Sequence, residues 1–169
     1  VSLQFLNVVA SDQIGNIYFG HDNNCSISQY SHATNSWTNF SLYSATQPTC
    51  IFSQGLNSIR VDDSNNVWFC GTAGLAMYDQ TNIIYYTNLN TPLPQGNIAD
   101  IAFDSLGNKW IATEQGVYKY DGTTWTQYTT SNSGLQEKFV RQLTLDTLGN
   151  IWVLSRGAGA AIFNPSGVL

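Results

Sequence analysis

The stretch Asp104-Ser-Leu-Gly-Asn-Lys-Trp110 decides how this chain is read, because it is written four times. Asp146-Thr-Leu-Gly-Asn-Ile-Trp152 is nearly the same string, Asp62-Asp-Ser-Asn-Asn-Val-Trp68 a looser one, and Asp12-Gln-Ile-Gly-Asn-Ile-Tyr18 a fourth. In each copy an Asp precedes an Asn by four residues, and an aromatic follows that Asn by two. The anchoring residues Asn16, Asn66, Asn108 and Asn150 are spaced 50, 42 and 42 apart. A fixed period with a strand-turn-strand centre marks a repeat architecture. The Asp suits a tight turn by bonding forward to backbone amides, and the Gly by accepting positive φ. Three of the turns offer one carboxylate and the second offers two, Asp62 and Asp63, whereas calcium takes about six to eight oxygens. The four Asp are therefore read as turn caps, and neither a metal nor another cofactor is expected.

Outward from that stretch, each unit reads as four short strands. In the third they are Ile98 to Phe103, Lys109 to Thr113, Gly116 to Tyr120 and Trp125 to Tyr128. Asp121-Gly122 predicts a type I′ hairpin. The second unit repeats this at Leu56 to Val61, Val67 to Gly71, Leu75 to Tyr78 and Ile83 to Tyr86. In the first, strands begin near Phe5, Ile17, Ser26 and Trp37. In the fourth, Phe139 to Leu145, Ile151 to Leu154 and Gly159 to Phe163 are strands, and a fourth strand is missing. The pairs Trp37-x-x-Phe40, Ile83-x-x-Tyr86 and Trp125-x-x-Tyr128 predict a twisted or bulged last strand, since strict alternation puts i and i+3 on opposite faces. Trp68, Trp110 and Trp152 recur at one place per unit and are expected to pack in the core.

Composition agrees with an all-β chain. Aromatic residues make up 13% and charged residues 10%, and the polar remainder is Asn, Ser, Thr, Gln and Gly, which suits strands and turns rather than helices. The net charge is −5, and the six Lys plus Arg form no stripe, so nucleic acid and anionic membrane surfaces are excluded as partners. No apolar run approaches the ~18 residues that span a bilayer. Cys70 shares a strand face with Trp68 and is read as a small buried hydrophobe. Cys25 and Cys50 both lie where the first unit departs from the others. They are either a disulfide or two unrelated thiols.

These units, with Gly71-Thr72, Leu93-Pro94 and Ser133-Gly134-Leu135 following in phase, resemble the two-component-regulator propeller repeat. The resemblance covers nearly the whole chain. It implies a β-propeller segment over residues 1–169, with repeats at approximately 3–52, 53–94, 95–136 and 137–169 and the last blade incomplete. It also implies an extracytoplasmic location (periplasmic, cell-surface or secreted), a bacterial source, a ligand-sensing role with oligosaccharide-like ligands, and no catalytic residues. Three full units and part of a fourth leave blade faces and a strand edge uncovered. The chain is then a piece of a longer propeller, half of a ring closed by self-association, or a small four-bladed ring; unpaired edges favour the first two.

A scaffold position should hold similar residues in every unit, whereas a binding position is free to differ. Six residues after each anchoring Asn, in the loop between second and third strands, stand Asp22, Thr72, Glu114 and Arg156. Gln54, Gln95 and Gln136 lie in the loops that lead into each new unit. By propeller layout both loop sets share one rim, where they could hydrogen-bond a polar small molecule or a glycan. His21 joins them as the one plausible base for an alternative, an enzyme similar to streptogramin lyases; no other catalytic constellation is present. A third reading is an assembly module that pairs through its open blade.

Overall fold

The computed structural model describes residues 6–21, 25–43, 50–164 and 167–168. Among these residues sixteen strands form four sheets, each an antiparallel meander in sequence order. Blade one holds β1 (Leu6–Ser11), β2 (Ile17–His21), β3 (Ser26–Ser31) and β4 (Ser36–Ser41). Blade two holds β5 (Leu56–Val61), β6 (Val67–Gly71), β7 (Gly74–Tyr78) and β8 (Ile83–Tyr86). Blade three holds β9 (Ile98–Phe103), β10 (Lys109–Thr113), β11 (Gly116–Tyr120) and β12 (Trp125–Tyr128). Blade four holds β13 (Val140–Leu145), β14 (Ile151–Ser155), β15 (Gly159–Asn164) and β16 (Gly167–Val168). The expected absence of a last strand needs correction: β16 exists, but as two residues paired through Asn164↔Gly167 and Phe163↔Val168. Phe5, the expected start of the first strand, lies outside the described residues.

The first strands pack on one another in succession, β1 on β5, β5 on β9 and β9 on β13, so they are the innermost of an arc of blades. Apolar clusters fill the three blade interfaces. Tyr18 and Ile27 meet Ile59 and Phe69 between blades one and two; Trp68 and Cys70 meet Ile101 and Ile111 between two and three; Trp110 and Ala112 meet Leu143 and Val153 between three and four. Cys70 is buried as expected, and burial pushes its thiol up to about 12.

The repeated turn explains its own sequence. In blade three, Asp104 Oδ1 accepts the backbone N–H of Leu106 and of Asn108, both at 3.0 Å. Asp104 Oδ2 accepts Asn108 Nδ2 at 2.7 Å and the indole Nε1 of Trp110 at 2.8 Å. Gly107 takes φ +79°; Asn65, standing in its place in blade two, takes +63°. The same four-donor set recurs on Asp12, with the Tyr18 hydroxyl in place of the indole, and on Asp62 and Asp146. The aromatic is thus Trp or Tyr for its polar hydrogen as well as for its bulk.

Three expectations change. The Asp121-Gly122 turn is not type I′, because only Gly122 has positive φ. It is a four-residue loop closed by Asp121 N–H to Thr124 O, with Asp121 Oδ1 accepting the N–H of Thr123 and Thr124. The Trp-x-x-Tyr strand is regular in blade three: β12 pairs without a break, Trp125 stacks on Tyr120 and Tyr128 on Trp110, on opposite faces. Bulges lie instead on the innermost strands, at the same place in all four blades: Asn7, Asn57, Ala99 and Arg141. Finally, Trp68 and Trp110 are 2% and 1% exposed, but Trp152 is 39% exposed, because among the described residues no further blade packs on it.

Cys25 and Cys50 are bonded, with Cα atoms 5.9 Å apart. The bridge ties the start of β3 to the connector that leads into blade two, and Leu42 N–H bonds Cys25 O beside it. Closing a loop of this length lowers the entropy of the unfolded chain, worth about 3 kcal/mol. Reduction, or Cys25→Ser with Cys50→Ser, should therefore lower the thermal midpoint by several degrees in a melt followed by circular dichroism. An unchanged midpoint would show that blade one holds this connector without the bridge.

Candidate functional site

In blades two, three and four the loops where the copies differ lie along one edge of the arc. In blade two, Ala73 N–H and Thr72 Oγ1 both donate to Ile51 O in the connector, at 3.0 and 3.3 Å. In blade three, Gly116 N–H donates to Lys138 O of the connector into blade four, at 2.8 Å. In blade four, Arg156 N–H donates to Phe139 O at 2.9 Å. In these three blades the β2–β3-type turn is therefore tied by backbone to an interblade connector. Glu114 stands beside Gly96 of the connector that carries Gln95: a methyl placed on Gly96 would lie 3.8 Å from Glu114 Oε2. The Glu114 turn is itself braced, with Thr113 Oγ1 donating to Gly116 O and accepting Gln115 N–H.

Glu114, Arg156, Gln54, Gln95 and Gln136 are all exposed, and Thr72 is half-buried with its hydroxyl already used. Asp22 lies outside the described residues. His21 differs from the rest. It ends β2 inside blade one, buried, with Nε2 2.7 Å from Ser28 Oγ. Ser28 Oγ donates to Asn39 Oδ1 at 2.6 Å, so the imidazole donates from Nε2. Its Nδ1 is buried with no hydrogen-bond partner among the described residues. Among those residues no three His, Cys, Asp or Glu side chains converge as metal ligands.

A second polar group sits on the innermost strands. Asp100, buried on β9, accepts Arg60 from β5 at 3.0 Å and Leu143 N–H from β13 at 3.2 Å, all at Oδ2. One carboxylate so clamps blades two, three and four. Asp100 Oδ1 and Ser58 Oγ are buried without a partner among the described residues. The signal was present in the sequence: in the Asp-Asn register Val8, Ser58, Asp100 and Gln142 share a position and disagree as sharply as the rim does.

The carboxylates of the turns set an acid limit. Bonds from Asn150 and Trp152 hold Asp146 at about 2, and the N–H groups of Thr124 and Thr123 hold Asp121 at about 2. Burial pushes Asp104 up, but the bonds from Trp110 and Asn108 outweigh it and leave the carboxyl below its ordinary 3.8. A pKa depressed by folding contributes stability above the unfolded value and loses it as pH falls through the folded one. The thermal midpoint should be flat from about pH 7 to 5 and fall between about 4 and 2. A midpoint that rises on acidification would contradict this account.

No model of a protein family matches the sequence, and no curated protein matches it. Solved structures do. The extracellular domain assigned to the hybrid two-component system BT3049 of B. thetaiotaomicron superposes with TM-score 0.76 at 21% identity, over 95% of this chain and 22% of that one. The corresponding BT4673 domain from the same organism gives TM-score 0.72 at 22% identity, over 96% and 24%. A streptogramin B lyase gives 0.78 at 16% identity, over 99% and 54%. The chain thus spans about a quarter to a half of the structures it matches. Two of these are extracellular domains, and the Cys25–Cys50 bridge fits an oxidising compartment. At these identities the likeness carries the fold alone: this chain is a β-propeller segment of four blades, similar in fold to extracellular domains of two-component systems and to a lyase.

Proposed function

We propose that the chain is a non-catalytic recognition module that presents a polar rim to a neutral, hydroxyl-rich ligand such as an oligosaccharide, outside the cytoplasm. One observation carries this reading. The loops free to differ between blades lie on one edge, tied by backbone bonds between β2–β3-type turns and connectors, with Gln95, Glu114, Gln136 and Arg156 exposed there. Amide, carboxylate and guanidinium groups held on a rigid scaffold can bond sugar hydroxyls without a large desolvation cost, because little charge is buried. Against a lyase-like reaction, His21 has its Nε2 engaged by Ser28 and is buried.

A glycan-binding screen followed by calorimetry tests the proposal. Gln95→Ala, Glu114→Ala and Arg156→Ala should leave the melt within about 0.5 kcal/mol of the parent, as exposed substitutions do. At least one should weaken binding tenfold or more. Absence of any bound glycan, equal binding by all three variants, or chemical conversion of a bound ligand would sink the reading.

A further inference from the structure

The edge of the arc away from the rim carries the β1–β2-type turns and the β3–β4-type hairpins. Three of its four Asp-anchored turns hold an aliphatic residue at the same place. Ile14 is 68% exposed, Leu106 79% and Leu148 83%. Blade two has Ser64 there, also exposed. The N–H of Ser64 reaches Asp62 Oδ1 at 3.0 Å, as the N–H of Leu106 reaches Asp104 Oδ1. Serine therefore builds the same turn, and the aliphatic side chains add nothing to it. Ile14 and Leu106 each stand in a blade on which the next one packs, so their exposure belongs to the turn itself. Apolar residues exposed singly are ordinary, but one position exposed in three blades is a patterned surface.

The turns form one braced ridge. Between blades one and two, Gln13 N–H donates to Asn65 Oδ1 at 2.9 Å and Gln13 Nε2 to Asp62 O at 3.3 Å. Gln80, in the hairpin of blade two, donates to Asn65 O at 3.0 Å and accepts the Tyr18 hydroxyl of blade one at 3.2 Å. Between blades two and three a cleft of about 70 Å³ opens, lined by Asp62, Asp63, Ser64, Phe103 and Lys109.

Charge gathers on the same edge. The four turn carboxylates with Asp63, Asp79 and Asp121 stand against Lys109 and Lys119, so the edge carries the chain's whole net charge of −5. Both lysines are engaged, Lys109 Nζ on Gly107 O at 2.9 Å and Lys119 Nζ over the Trp110 ring at 5.2 Å. Asp63 and Asp121 are exposed. A second copy would bring the same carboxylates to this edge, and like charges disfavour that pairing.

We infer that the turn edge docks a basic, amphipathic segment of a partner protein. Its aliphatic side chains cover Ile14, Leu106 and Leu148, and its Lys or Arg groups meet Asp63 and Asp121. The apolar row supplies the burial, and the charge selects the sign of the partner. The inference is independent of what the opposite rim binds.

Selection from a random peptide library displayed on phage, against the immobilised chain, should enrich sequences that combine Lys or Arg with aliphatic residues. An enriched peptide, synthesised and titrated by calorimetry, should bind the variant Ile14→Ser, Leu106→Ser, Leu148→Ser about tenfold more weakly or worse, as loss of buried apolar contact does. The melt of that variant should match the parent, because Ser64 already serves at this place in blade two. Asp63→Asn should weaken the peptide severalfold and reduce its sensitivity to added salt. Four results would overturn the inference: no enrichment, enrichment of acidic or uncharged sequences, equal binding by the triple serine variant, or self-association of the parent that the triple variant abolishes in light scattering.

Discussion

Asp104→Ala should destabilise the chain by about 4 kcal/mol, since two fully buried donors lose their acceptor at about 1–3 kcal/mol each and two backbone N–H groups lose charge-assisted bonds. The buried donors are Asn108 Nδ2 and Trp110 Nε1, and Trp110 is among the largest fully buried side chains. Neither can turn to water, because Trp110 is held in the interface with blade four and stacks on Tyr128. Asp104→Asn is the sharper test. It keeps the volume and one acceptor oxygen, but places an NH2 group against two donors. It should cost nearly as much as the alanine. At Asp146 the same donors surround the carboxylate, yet Trp152 is exposed and water can replace the lost acceptor, so Asp146→Ala should cost clearly less. Denaturant melts of the three variants measure this. Equal losses at Asp104 and Asp146 would mean that the turn acts locally, without any contribution from burial.

That contrast shows what was legible beforehand. The repeat placed the strands of blades two and three within about a residue of their observed bounds, because Asp, Gly and Asn punctuate each turn and a short strand has little room to slip. The aromatic was read as bulk, whereas its N–H or O–H on the Asp carboxylate is a six-residue contact that a tally of apolar positions does not see. The exposure of Trp152 depends on a neighbouring blade and not on its own sequence. The layout of the rim loops in blades two to four was legible because strand parity puts both loop sets at one end. Burial of His21 was not, since the residue ends a strand and its side chain could have pointed either way. The Arg60–Asp100 pair joins residues in different units, so the period, which compares like with like, could not couple them.

Gly116→Ala is the other large loss, again about 4 kcal/mol, at the upper end for a single substitution. Gly116 opens β11 at φ +110°, where side chains are rarely tolerated. Strain in φ is the smaller part. A Cβ there would stand within 2.1 Å of Tyr128 O, a backbone atom of β12. To make room, β12 must move off β11, which weakens the pairing Val117↔Tyr128, the Gly116 N–H to Lys138 O bond, and the stacking of Tyr128 on Trp110. Gly74 stands in the same relation to Tyr86 O in blade two. Blade four provides the control. Gly159 opens β15 at φ +76°, but nothing lies within 4 Å of its added Cβ, because among the described residues the two-residue β16 pairs only at the far end of β15. Gly159→Ala should therefore cost only the left-handed backbone term, about 1–2 kcal/mol. The difference between the two glycines, read from denaturant midpoints, thus reports whether a fourth strand is present in the blade. A Gly159→Ala loss as large as that of Gly116→Ala would place a neighbouring strand against β15, and the open edge of blade four would have to be redrawn.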